Sequence, residues 1–297
     1  MTSKDYQTQK ITTNRLGVCA AIFLVAAFTS CSSPLNRTQP RADDFSLSVS
    51  MEQHPSKDSW HLKYVTSQPV TQLIFTRQTN RFRSKNWKPL TPNVVIKEID
   101  GQETILSSDG TPFNTAEFDL DSYYELTPKD YEFFQKFTDG SVVMYTGHLN
   151  TCPTNEGCET PVKFHFKTRK KNNIVVLGEI SRESADWLET TPRGTYVYFG
   201  NIKPLARKHL TAIIDPNLPR WLRSRLFETL PKLFDLYTKQ TDYPLTFKPF
   251  IFLNYSSEGK GAHSHGGTLP GLIQLSLAGE GWKKEDKDNV KKATSQL

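Results

Sequence analysis

Across residues 45–213 short segments with a two-residue period follow one another so closely that only stacked sheets can bury their apolar side chains. "FSLSVS", "WHLKYVT", "VTQLIFTR", "NVVIKEI", "SVVMYTGHL", "VKFHFKT", "NIVVLGEI" and "TYVYFG" alternate or are β-branched, and Gly, Pro, Asn and Asp punctuate them. Alternate side chains of a strand leave on opposite faces, so each segment needs a second layer against its apolar face. The expectation is a mainly β, sandwich-like N-terminal domain. The stretch around Asp119 and Asp121 reads instead as acidic, solvated loop.

The period changes after "IDPNLP". Leu222, Leu226, Leu230, Leu233, Phe234 and Tyr237 recur at helical spacing across residues 220–241, with Pro231 expected to kink or split the helix. A strand at 245–255, a Gly-rich loop, a second strand at 271–279 and the charged helix start "KKEDKDNVKKATSQL" follow. Residues 214–297 are therefore taken as a second, α+β region after the 45–213 domain.

The N-terminus reads as an export signal. Lys4, Lys10 and Arg15 precede the apolar run "LGVCAAIFLVAAF", which is too short to span a bilayer comfortably. "FTSC" resembles the lipobox of bacterial lipoproteins, which implies cleavage after residue 30, lipidation of Cys31 and a membrane partner through that anchor. Ser32 in place of Asp resembles the class sorted to the outer membrane. The alternative is an ordinary secretory signal. Residues 31–44, rich in Pro, Arg, Asn and Ser, read as a tether.

Removal of residues 1–30 takes away three basic residues and Asp5, lowering the formal charge from +6 to about +4. Both signs are interspersed, so no nucleic-acid surface is expected. In an oxidising compartment Cys152 and Cys158, bracketing "PTNEG", are expected to form a disulfide. The alternative is a two-cysteine metal clip with His148 and His165.

The densest cluster of chemical residues is "AHSHGGTLPG", residues 262–271. Gly261, Gly266 and Thr268 stand at phosphate-loop spacing, but Gly267 replaces the lysine and a strand follows where a helix is needed. His263 and His265 share one side of an extended segment, yet two imidazoles leave a zinc site incomplete. Neither H-E-x-x-H nor G-x-S-x-G occurs, so no catalytic or metal-binding residue and no cofactor is assigned.

The order of a lipoprotein-type β domain, a helix ending near "DLYTKQTDYPLTFKPFIFLNY", then "GGTLPGLIQLSLAGEGW" and a charged helix resembles gluzincin metallopeptidases of the membrane alanyl aminopeptidase type. The resemblance implies that residues 214–297 begin a thermolysin-like domain. There an edge strand, preceded by a G-x-M-E-N segment, lines the peptide cleft. Gly266 and Gly267 match its glycines, whereas Thr268, Leu269 and Pro270 fall at its Met, Glu and Asn. These five residues are the expected peptide-substrate contacts, without the carboxylate that holds a substrate amine in the family. Zinc is expected only on a chain continuing into the zinc helix, so residues 1–297 alone are expected to be inactive.

The resulting expectation is an outer-membrane-anchored, metallopeptidase-like lipoprotein, with a non-enzymatic periplasmic binding or scaffolding lipoprotein as the alternative. The alternative for the Gly-Pro segment is a loop that merely connects two strands. A further expectation is that Leu222, Leu226, Leu233, Phe250, Phe252, Leu272 and Leu275 expose an apolar face, leaving the chain beyond Ile213 open to proteolysis.

Cleavage before Cys31 is directly testable. Mass spectrometry of the mature N-terminus should show an acylated Cys31, and Cys31→Ala should release the protein from membranes; an unmodified peptide retaining residues 1–30 refutes the assignment.

Overall fold

A computed structural model of the chain describes residues 45–77, 81–124, 130–153, 161–191, 193–243 and 247–295. Cys31, the tether and Cys158 lie outside the described residues.

The described chain is mainly β, arranged as four sheets with three short or medium α-helices. The first sheet has the order β14 (Ser184–Glu189), β11 (Val162–Lys167), β1 (Leu47–Gln53), β2 (Ser59–Val70), β7 (Phe113–Asp121) and β4 (Trp87–Pro89). Its pairs are antiparallel except β1 with β11. Alternation fixes its faces: Val49, Met51, Leu62, Tyr64, Phe118 and Phe164 point into the core.

The Asp119 and Asp121 stretch is corrected here, since it lies on β7. Ala116, Phe118 and Leu120 supply the buried face, and the interposed acids face water, which hides the two-residue period from a reading by composition. Asp119 meets His61 across β2 at 3.3 Å.

A second sheet, β10 (Thr151–Cys152), β3 (Gln72–Phe75), β6 (Gln102–Ser107) and β5 (Val94–Ile99), closes part of the same core. Helix α1 (Phe82–Asn86) brings Arg83 into it. This guanidinium is fully buried, but Glu103 lies 2.9 Å away and the His148 carbonyl accepts two of its N–H groups, so the charge is paired.

The third sheet runs β13 (Glu179–Arg182), β12 (Asn173–Val176), β15 (Tyr196–Gly200), β9 (Val142–Tyr145) and β8 (Phe134–Lys136). β9 and β15 are buried at every position, the pattern of strands covered on both faces. Val142, Met144, Val197 and Phe199 join the first core, while Val143, Tyr145, Tyr196 and Tyr198 face the other way.

That second face receives a fourth sheet: β16 (Leu205–Ala206), β17 (Thr211–Ile214), β18 (Phe250–Ser256), β20 (Leu272–Ala278) and β19 (His263–Leu269). β17, β18 and β20 are parallel, and the two outer strands are antiparallel to their neighbours. The expected boundary at Ile213 thus falls inside β17. Phe250, Phe252 and Leu272 pack on the third sheet with Phe137 and Tyr198. Ile251, Leu253 and Tyr255 point away from it, against Leu222, Leu226 and Leu230 of α2 (Arg220–Thr241).

The expectation of an exposed apolar face is therefore overturned. Leu222, Leu226, Phe250, Phe252, Leu272 and Leu275 are all buried, and only Leu233 is half-buried. The third sheet and α2 cover these side chains. Helix α2 also runs unbroken through Pro231. One missing N–H is offset there by packing on the sheet: the Leu222, Leu226 and Leu230 stripe holds the half before Pro231, and half-buried Phe234 rests on the same core after it.

Asp215, fully buried after β17, stitches the layers. Its carboxylate accepts from the Thr138 N–H at 2.9 Å, the Thr138 hydroxyl, the Asn217 N–H at 2.9 Å and the Tyr255 N–H at 3.4 Å. Truncation leaves buried donors without an acceptor. Asp215→Ala should cost about 3 kcal/mol or more of unfolding free energy by urea titration, while Asp186→Ala on the solvent face should change it by less than about 1 kcal/mol.

Candidate functional site

The segment "HSHGGTLPG" folds into the edge strand itself, which corrects the expectation that it leads into one. β19 pairs with β20 from His263 opposite Ala278 to Leu269 opposite Leu272. Strand β20, the expected edge, lies inside the sheet between β18 and β19. The reason is a two-residue hairpin: Pro270 sets the first dihedral of the turn and Gly271 takes φ 73°, folding the glycine strand back along β20.

The other end of β19 is fixed by Trp282, which is fully buried and donates its indole N–H to the His263 carbonyl at 2.8 Å. Gly279, at φ 104°, lets the chain after β20 approach Gly261; a Cβ there would lie 2.3 Å from the Gly261 oxygen.

Alternation gives β19 two different faces. Ser264, Gly266 and Thr268 stand on the side of Ile273 and Leu275, toward α2. Here an apolar slot of about 270 Å³ opens between helix and sheet, with Leu226, Phe227, Leu230, Leu253 and Ile273 in its wall and Gly266, Gly267 and Thr268 at its rim. His263, His265, Gly267 and Leu269 stand on the side of the third sheet. There His265 Nε2 lies 2.6 Å from the Glu132 carboxylate, which is largely buried and also accepts from Gln135 at 2.7 Å.

The expected contact residues thus divide. Gly266, Gly267 and Thr268 lie together on the edge, Leu269 packs inward with Tyr131, and Pro270 belongs to the turn. Beyond β19 the structure gathers residues that no motif marks. Tyr131, Tyr145 and Tyr196 form an aromatic group with ring centroids 4.7 to 5.9 Å apart. Arg77 lies over Tyr131 and Tyr145 and pairs with Asp130 at 2.6 Å. Burial raises the Tyr145 and Tyr196 phenols well above the ordinary tyrosine value, so both are neutral hydroxyls. These residues come from four separate stretches of sequence, and only the tertiary fold brings them together.

The donor set does not fit zinc. His263 Nε2 donates to the Lys260 carbonyl at 2.9 Å. The 2.6 Å approach of His265 to Glu132 is too close for a metal between them, since two ligands on one zinc sit about 3 Å or more apart. Among the described residues no group of three His, Cys, Asp or Glu side chains could hold a metal. His148 and His165 also lie apart: His148 is buried beside Phe82, Phe133 and Tyr145, while His165 meets Asp186 on the outer face of the first sheet. Cys152 is buried, and Cys158, its expected partner, lies outside the described residues.

No protein-family model matches the chain, and no curated protein matches it. Among solved structures it is similar to native yeast LTA4 hydrolase, with a TM-score of 0.41 and 9% identity over 78% of this chain and 40% of that one. It is also similar to the yeast enzyme in complex with bestatin, with a TM-score of 0.42 and 9% identity over 87% and 46%. The chain spans less than half the length of these neighbours.

His148 offers a test of the site's frame. Burial is the main cause that holds its pKa down to about 3, aided by the Arg83 charge, while its bond to the Tyr131 carbonyl opposes the shift. The folded state keeps the ring neutral while the unfolded chain protonates it below about pH 6.5. Stability is therefore intact above that value and falls as pH drops toward 3, by up to about 1.4 kcal/mol per pH unit. His148→Phe should lower stability at pH 7.5 but remove about one proton's worth of slope between pH 6.5 and 4, read from urea unfolding at several pH values.

Proposed function

We propose that this chain holds an extended peptide on the outer edge of β19, as the substrate-holding part of a metallopeptidase-like lipoprotein anchored in the outer membrane. The observation that carries the reading is the edge itself. Among the described residues β19 is the last strand of its sheet, and Gly266 and Gly267 let another backbone approach closely.

A strand added here would hydrogen-bond to the outward N–H and C=O groups of β19, the mode called β-augmentation. Its alternate side chains would face the apolar slot beneath α2 and the polar Glu132 and His265 side. An apolar residue flanked by polar or basic neighbours suits those two surfaces. Hydrolysis is no part of this proposal, which concerns only how an extended peptide is held. The lipid anchor rests on the sequence around Cys31, and the pairing of Cys152 with Cys158 on their spacing.

Backbone pairing is tested without altering the protein. An extended peptide with one central Leu should bind with slowed amide exchange at β19, and its counterpart N-methylated at alternate residues should bind at least about tenfold more weakly. Equal binding of the two peptides would exclude augmentation and favour the scaffolding alternative.

A further inference from the structure

The Gly267–Thr268 end of the edge is already covered from within the chain. Tyr131 donates its hydroxyl to the Thr268 carbonyl at 3.3 Å. Its ring fills the space a side chain at Gly267 would need, since a Cβ there would lie 2.1 Å from Tyr131 Cε1. One residue on, Glu132 holds His265 at 2.6 Å.

These contacts are presented from a hydrogen-bonded frame. The Tyr131 carbonyl accepts from His148 Nε2 at 2.5 Å, the Tyr131 N–H donates to Asp130 at 2.8 Å, and Arg77 holds Asp130 while lying over the Tyr131 ring. The backbone at residues 130–132 is thus tied down beside the third sheet, while the Tyr131 and Glu132 side chains reach across to β19.

We propose that the Tyr131 and Glu132 side chains form an intramolecular latch on the peptide-holding edge, whose contacts to Thr268 and His265 are given up when a peptide pairs with β19. The proposal rests on the peptide-edge reading above and adds its regulation. The Thr268 carbonyl is an acceptor that an added strand would use, and Tyr131 occupies it in the resting chain. The grip is weak enough to be exchanged: the hydroxyl contact is long for an O–H donor, and the His265 side chain is more than a third exposed, so water screens its ion pair. The Gly at 267 is then explained twice, by the Tyr131 ring at rest and by close backbone approach when a peptide is bound.

The test uses the Leu-centred peptide on the wild type, Tyr131→Phe and Glu132→Gln. Tyr131→Phe keeps the ring and deletes only the hydroxyl, and should bind the peptide about two- to tenfold more tightly. Without peptide it should also speed amide exchange across residues 266–269. Glu132→Gln should act in the same direction, since it weakens the grip on His265. Wild-type binding with no gain, or a loss, in Tyr131→Phe would overturn the latch and make Tyr131 part of the binding surface. Failure of all three proteins to bind would overturn the peptide-edge reading, and the latch with it.

Discussion

The centre of the middle sheet, strands β15 and β9, is buried on both faces, and the layers on either side pack against it. Val197 and Phe199 lean into the core under the first sheet, while Tyr196 and Tyr198 lean the opposite way. Tyr198 stacks on Phe252 with ring centroids 6.2 Å apart and planes 15° from parallel. Asp215 adds a directional tie, binding the β8–β9 turn at Thr138 to the end of β18 at Tyr255 and to the loop before α2. Apolar contact supplies most of the stabilisation, but it is non-directional; the buried carboxylate fixes how the layers align.

This layering creates the candidate site. The segment leading into the third sheet presents Tyr131 and Glu132 to one face of β19, while α2 walls the other face with leucine and phenylalanine. A strand that showed the same glycines to water on both faces would be a poor recognition surface, because backbone groups alone do not distinguish one extended chain from another. Selectivity at β19 would have to come from its neighbours, and the neighbours differ sharply across the strand. The exposed edge is also the usual liability of a sheet, and the Tyr131 contact blunts it at one end.

Much of the strand content was legible because alternation survives in a sequence whatever lies around it. "VKFHFK" and "WHLKYV" announce β11 and β2, since each has one buried and one solvated face. β7 was missed because Glu117, Asp119 and Asp121 dominate its composition although Ala116, Phe118 and Leu120 keep the period. The strands "VVMY" and "YVYFG" were found, but not their position: a segment apolar on both faces says that it is covered twice and not by what.

By itself the sequence determined the strand-rich class, the leucine stripe of α2, and the cluster of glycines and histidines at 261–267, because propensity, period and turn chemistry are local. Only the tertiary structure decided that Phe250, Phe252 and Leu272 meet the third sheet, that the glycine strand lies outermost, and that Glu132 faces His265 across 133 positions of sequence. Strand order and the choice of layer partner depend on contacts between distant residues, whose free energy comes from surfaces complementary only once the chain has folded.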